Sequence, residues 1–191
     1  MGWRNDAQGF GSVAKGLHWL AAASVLAAWL IGIVGDDPFP KSWKGAVLFT
    51  HISFGLVVLA LLFGRLGWRL TSPAPPAIAT PFDPWGAWTA LAAHVLLYGL
   101  LLIVPVTGIV LQFARGQSVP LFGLYEIASP WVRDRTFARS VKEVHELLAH
   151  LLVFLAMLHA AAALVHHHLL KDDTLRRMLP GGGRRYRGRN P

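Results

Sequence analysis

The amino-acid sequence predicts an all-α membrane protein built as an antiparallel, up-down bundle of four transmembrane helices. The composition is too apolar for a soluble domain, because 54% of the residues are hydrophobic, only 15% are charged, and the mean hydropathy is +0.45. Four apolar stretches are long enough to cross a hydrocarbon core about 30 Å thick. They cover about residues 16–34, 46–64, 87–113 and 143–170.

The first span, residues 16–34, follows Lys15 and is rich in alanine, as secretory signal peptides also are. It is longer than the apolar part of a usual signal peptide, and the residues 36–38 that follow it offer no clear cleavage site. We therefore expect this span to be retained. Pro38 and Pro40 then prevent the helix from continuing into the second span.

The connections after the second and third spans differ in character. Residues 65–86 are rich in proline, which predicts an extended, semi-rigid segment. Residues 114–142 form the longest connection, and their apolar part, 121–127, is expected to lie on the membrane surface. The glycine- and arginine-rich residues 181–191 predict a disordered tail, so the folded domain covers residues 1–180.

The basic residues predict that both termini are cytoplasmic. Four spans place both ends on one side, and that side carries eleven Lys and Arg residues against seven on the other. Cytoplasmic loops are the ones enriched in Lys and Arg. The net charge of +8 does not indicate a nucleic-acid partner, because the basic residues flank the spans, where lipid headgroups are their natural partners.

Histidines mark two depths of the predicted bundle. His145 and His159 are fourteen residues apart on the last span, which is roughly 21 Å and nearly four full turns, so they share one helix face. His18 lies near the cytoplasmic start of the first span, and His51 near the outer start of the second. Depth therefore pairs His51 with His145 and His18 with His159.

Two pairs of histidines predict two b-type haems, each with an imidazole on either side of the iron. The chain has no cysteine, which excludes thiolate ligation, iron–sulfur clusters and covalent haem attachment. Zinc would need three or four ligands converging on one ion, which two residues fourteen apart on a helix do not provide. A haem-free, histidine-dependent transporter of protons or metal ions remains as an alternative.

His94 is a second candidate for the inner pair. It begins the third span at the depth of His18 and could replace His18 opposite His159. Tyr98, four residues later, shares its helix face. We favour His18 as the ligand and expect His94 and Tyr98 to support the site without binding iron.

A series of short motifs runs along the chain in a fixed order. They are Leu17-His18-Trp19, His51-Ile52-Ser53-Phe54-Gly55, Arg65 with Arg69, Ala93-His94 with Tyr98, Pro105-Val106-Thr107-Gly108, Lys142 to His145-Glu146, His159-Ala160-Ala161-Ala162, His166-His167, Lys171-Asp172 and Arg177-Met178-Leu179-Pro180. Their order resembles the bacterial cytochrome b561 family, and within it the small stand-alone superoxide oxidases. The similarity covers roughly residues 10–180, and the run of three histidines at 166–168 departs from the expected pattern.

The resemblance implies two haem b groups in a multi-pass protein of the bacterial inner membrane, with electrons passing from periplasmic superoxide to ubiquinone. His18, His51, His145 and His159 would be the axial ligands, and His166 would contact the quinone. The resemblance also leaves open a cytochrome b subunit of a hydrogenase or formate dehydrogenase, which would need a redox partner subunit. A basic surface near the outer haem would attract the superoxide anion, and its members are Arg133, Arg135, Arg139 and Lys142.

Overall fold

Four long helices dominate the fold, as the sequence predicts. The computed structural model describes residues 2–35 and 40–181, so nearly all of the predicted tail lies outside the described residues. All four helices are long and apolar enough to cross a membrane. They are α1 (Ser12–Val34), α2 (Lys44–Thr71), α3 (Trp85–Ala114) and α4 (Arg135–Val165).

The bundle consists of two helix pairs that meet in a small apolar core. Helix α1 packs mainly on α2 and α3 mainly on α4, while α2 and α3 join the two pairs. Most other large apolar side chains are exposed, as expected where the surrounding solvent is hydrocarbon and not water. The central buried cluster comprises Val58, Leu62, Leu100, Leu101 and Leu152.

Two helices extend beyond the predicted spans. Helix α2 ends at Thr71 and not near residue 64, so Arg65 and Arg69 lie on the helix and not in the following connection. Helix α4 begins at Arg135 and not at residue 143, because the Asp134 carboxylate accepts hydrogen bonds from the first backbone N–H groups of that helix. Hydropathy finds only the part of a helix that crosses hydrocarbon, whereas the hydrogen-bonded helix continues into the interface.

The connection between α3 and α4 contains a β-hairpin that was not predicted from the sequence. Strand β1 (Val119–Leu121) pairs antiparallel with β2 (Tyr125–Ile127). The turn between them has positive φ at Phe122 (54°) and Gly123 (74°), as in hairpin turns whose twist matches that of the strands. Strands of three residues are too short to produce a readable alternation of apolar and polar positions.

The first and last described segments are fastened at one end of the bundle, here called the inner end. The Asn5 backbone N–H donates to Ser72 Oγ (3.0 Å), and the Asn5 side chain donates to the Ser72 carbonyl (2.9 Å). Trp19 Nε1 donates to the Met178 carbonyl (2.9 Å) in the short helix α5 (Thr174–Met178). These contacts hold the first and last described segments against α1 and α2. That this end faces the cytoplasm remains a prediction.

Candidate functional site

The outer pair of histidines meets across the bundle. His51 on α2 and His145 on α4 have ring centroids 6.1 Å apart and planes at 80°. Nδ1 of His51 donates to the Ala28 carbonyl (2.9 Å). Nδ1 of His145 lies 3.0 Å from Thr107 Oγ1 and 3.1 Å from the Val104 carbonyl; since the Thr107 hydroxyl donates to that carbonyl (2.8 Å), Nδ1 donates to both. Because a carbonyl only accepts, both neutral rings carry their proton on Nδ1. Each Nε2 therefore keeps a free lone pair, as a metal-ligating histidine requires.

Each outer histidine lies against a glycine of a neighbouring helix. A Cβ atom added to Gly32 of α1 would lie 3.1 Å from Cε1 of His51. A Cβ atom added to Gly108 of α3 would lie 3.2 Å from Cε1 of His145. At either position a Cβ atom would be closer to the ring than an ordinary van der Waals contact, so the imidazole would have to shift. These two glycines therefore allow the helices to approach the rings closely, and the sequence analysis assigned neither of them a role.

Three histidines, not two, gather at the inner level. His18 on α1 has its ring centroid 6.4 Å from that of His159 on α4, and His94 on α3 has its centroid 5.3 Å from the same ring. His94 Nδ1 donates to the Ala90 carbonyl one turn earlier (2.6 Å). His18 Nδ1 is buried and has no hydrogen-bond partner among the described residues. The structure thus brings His159 together with both His18 and His94, the two residues between which the sequence left the choice of its partner.

The spacing within the two predicted pairs suits one metal ion between two imidazoles. A bond from a metal to an imidazole nitrogen is about 2 Å long, so two rings on opposite sides of one ion have centroids roughly 6 Å apart. The distances of 6.1 Å for the outer pair and 6.4 Å for His18 with His159 are close to this value. Within residues 2–35 and 40–181, no group of three or more His, Asp or Glu side chains is arranged to hold a metal ion.

His166 lies just beyond α4, in a π-helical turn (His166–Leu170) that ends at Lys171 with φ of 56°. Its Nδ1 is 2.6 Å from an Asp172 carboxylate oxygen, and Thr174 donates its backbone N–H to the other oxygen (2.8 Å). π-Helical turns are frequent at functional sites. The sequence analysis proposed His166 but did not assign a role to Asp172, which this turn brings next to the imidazole.

Asp172 is held in its charged form by its neighbours. Burial raises the pKa of its carboxyl, but the hydrogen bonds from His166 and Thr174 and the charge of His166 outweigh burial and lower the pKa below 3.8. A lowered pKa means that the interaction is fully present above the ordinary value and is lost only as the pH falls through the folded-state value. Asp172 is therefore ionised throughout the neutral range.

The predicted basic surface lies mostly on a helix and not in a loop. Arg135, Arg139 and Lys142 are at positions i, i+4 and i+7 of α4, so they share one face. Lys142 Nζ is 3.0 Å from Glu146, which offsets its charge. Arg115, at the end of α3, is close enough to His145 to interact with it electrostatically. Arg115 was not among the residues predicted from the sequence to form the basic surface.

Comparison with known proteins points to one family. The model of prokaryotic cytochrome b561 matches residues 9–181 of the chain. A probable superoxide oxidase, CybB, of Yersinia pestis is 36% identical over 148 residues, which cover 76% of this chain and 81% of that protein. Cytochrome b561 homolog 1 of Escherichia coli is 33% identical over 155 residues, and homolog 2 is 29% identical over 160 residues. The alignment with homolog 1 covers 75% of this chain and 81% of that protein. The alignment with homolog 2 covers 83% of this chain and 85% of that protein.

Proposed function

The chain belongs to the prokaryotic cytochrome b561 family, and from this membership we propose that it is a di-haem superoxide oxidase of the bacterial inner membrane. Membership makes it a membrane cytochrome b that transfers electrons. The proposal adds the substrates: superoxide is oxidised at the outer end, and ubiquinone is reduced at the inner end. The observation that carries it is the presence of two histidine pairs, one near each end, at spacings of 6.1 and 6.4 Å.

The donor atoms fit two haem groups. His51 and His145 would hold the outer haem, since their Nδ1 atoms are occupied by carbonyls and their Nε2 atoms are free. His18 and His159 would hold the inner haem, because their spacing is nearer to roughly 6 Å than the 5.3 Å between His94 and His159. Neutral imidazoles add no charge to the hydrocarbon region. Each haem b, when bound, supplies a one-electron carrier.

The proposed reaction balances when two superoxide anions yield two molecules of oxygen, and their two electrons with two protons convert ubiquinone to ubiquinol. The chain has to supply those protons where the quinone binds. Asp172 fixes the His166 ring through Nδ1, which leaves Nε2 facing away from the carboxylate. In the protonated ring Nε2 donates, so it can both hydrogen-bond a quinone carbonyl oxygen and deliver a proton to it.

Replacing Asp172 by asparagine should slow quinone reduction several-fold, because the amide cannot act as the charged acceptor for His166 Nδ1–H. The rate of ubiquinol formation, measured against pH on the purified holoprotein, checks this. The pH profile should change shape in the variant, while the haem spectra stay those of the parent protein. Asp173→Asn is the matched control, since the one ion pair of the Asp173 carboxylate among the described residues is with the exposed Arg176 at 3.5 Å. Equal rates and pH profiles for the two variants would argue against this role of Asp172.

Replacing Arg135 and Arg139 together by glutamine should lower the rate of superoxide oxidation several-fold at low ionic strength. Exposed basic groups raise the local concentration of an anion, and this attraction weakens once the Debye length falls to a few ångströms. The difference between variant and parent should therefore disappear in about 1 M salt, where the Debye length is about 3 Å. Stopped-flow measurement of superoxide decay checks this. Arg176→Gln, at the inner end, is the control and should leave the rate unchanged.

The decisive test of the function uses the purified protein with enzymatically generated superoxide and a soluble ubiquinone. Ubiquinol should form in step with superoxide loss, and no other protein should be required. Ubiquinol formation only in the presence of a co-purifying subunit would favour the alternative, an electron-transfer subunit of a larger redox enzyme. A purified protein without the α and β absorption bands of a reduced b-type haem would contradict both.

A further inference from the structure

We propose that Arg65 and Arg69, at the inner end of α2, form a carboxylate-binding site for the propionate groups of the inner haem. This inference rests on the proposed function, because it requires a haem between His18 and His159. It assigns a role to two charged residues of a membrane-spanning helix that neither the histidine pairs nor the quinone site explains.

The two arginines line one small cavity next to the inner histidines. They are four residues apart on α2, so they lie on the same helix face. The cavity, about 90 Å³ in volume, is also lined by Leu17, next to His18, and by His94, whose ring contacts that of His159. Arg65 is near enough to both His18 and His159 to interact with them electrostatically. The cavity therefore borders the inner histidine cluster.

Neither arginine has a counter-charge among the residues that the structure describes. Within residues 2–35 and 40–181, no carboxylate lies within 4.0 Å of Arg65 or Arg69. The Arg65 guanidinium instead lies over the Tyr98 ring, 5.4 Å from its centroid. Arg65 is half-buried and Arg69 is exposed, in the part of α2 that continues beyond the apolar span. A charge that is partly withdrawn from water normally pairs with an opposite charge. Two adjacent guanidinium groups with no carboxylate partner among the described residues therefore point to a bound anion.

A third hydrogen-bond donor beside this cavity also has no acceptor. Trp68 lies between the two arginines in sequence and lines the same cavity. Its Nε1–H is buried and has no partner among the described residues. An indole N–H only donates, and buried donors are normally satisfied. Trp68 Nε1–H and the two guanidinium groups therefore all need an acceptor that the described residues do not provide.

Haem carboxylates match this requirement better than other anions do. Guanidinium groups bind carboxylates through two parallel hydrogen bonds, and haem b carries two propionates for the two arginines. A cavity of about 90 Å³ accommodates a few water-sized groups such as carboxylates. Asn5 also lines the cavity and is held at the end of α2 by hydrogen bonds to Ser72 and to the Pro73 carbonyl (3.1 Å).

The test is a spectroscopic redox titration of the purified holoprotein carrying Arg65→Gln, Arg69→Gln or both. Loss of a positive charge beside one haem disfavours its reduction, so the midpoint potential of one haem should fall while that of the other stays unchanged. Haem labelled with ¹³C in the propionates should show a shifted carboxylate band in redox-difference infrared spectra. Arg65→Lys should restore part of the potential, since it keeps the charge without the two-pronged geometry. Arg176→Gln, at the same end but outside the cavity, is the matched control.

The outcomes separate this inference from the proposed function. Two haems with unchanged potentials and an unshifted propionate band in the double variant would overturn the propionate site and leave the function untouched. A lower content of bound phospholipid, with both potentials unchanged, would assign the arginines to a lipid headgroup instead and would also overturn it. If the variants do not assemble, the infrared spectrum of the labelled parent protein decides, because guanidinium-bound and solvated carboxylates absorb differently.

Discussion

Replacing His159 by alanine is expected to remove the inner haem and leave the outer one, so that the haem content falls from two per chain to about one. The ring of His159 lies at the centre of the inner cluster, in contact with the rings of both His18 and His94. Haem analysis by the pyridine haemochrome method and a redox titration check this, and the titration should show one potential where the parent protein shows two.

The same measurement on His18→Ala and His94→Ala decides which of them is the partner of His159. The centroid distance of 6.4 Å predicts that the His18 variant loses the inner haem, whereas the shorter 5.3 Å predicts that the His94 variant keeps it. His94→Ala should at most shift the potential. Retention of the inner haem in His18→Ala together with its loss in His94→Ala would reverse the assignment of the ligand. Two haems in His159→Ala would rule out the paired arrangement.

Replacing Gly108 by valine is expected to remove the outer haem almost as completely as replacing His145 by alanine. Even a single Cβ at Gly108 would lie 3.2 Å from Cε1 of His145, and the branched side chain of valine extends further toward the ring. The imidazole would have to turn, which breaks the Nδ1 hydrogen bond to Val104 that leaves Nε2 free. Haem content and the redox titration should show only the inner haem.

Gly99→Val is the matched control for this experiment. Gly99 lies on the same helix, and a Cβ atom there would meet nothing within 4 Å. Gly32→Val, by contrast, should act like Gly108→Val, since its Cβ would lie 3.1 Å from Cε1 of His51. The steric explanation requires that the two outer-site variants lose the outer haem while Gly99→Val retains both haems. Full haem content in Gly108→Val would show that α3 does not hold His145 in place.

The four-helix bundle was predictable from the sequence, because the apolar length that makes a segment a span is a property of that segment alone. A span of hydrocarbon thickness requires about twenty apolar residues, and four runs of that length predict four helices. The depth of each histidine followed from its position along its helix, since an α-helix advances by a fixed rise per residue. The helix ends were less predictable. Asp134 caps α4 nine residues before the predicted span begins at residue 143, because capping depends on a hydrogen bond and not on hydropathy.

Contacts between distant segments were not predictable from the sequence, because they depend on which helix faces which. The hydrogen bond from His51 to Ala28 joins α2 to α1, and the close approach of Gly108 to His145 joins α3 to α4. The inner cavity at Arg65 depends on how the N-terminal segment folds over the end of α2. In each case the role of a residue depends on its contact with a residue far away in the chain, and the sequence around it does not indicate that contact.

The sequence by itself determined the class of this protein, its four spans and the two levels at which histidines occur, since hydropathy and helical periodicity act along one segment at a time. The tertiary structure decided which imidazoles come within about 6 Å of one another, that His94 joins the inner pair, and that Asp172 reaches His166 through a π-helical turn. These results depend on the rotation and packing of whole helices about their axes. No pattern within a single segment specifies that geometry.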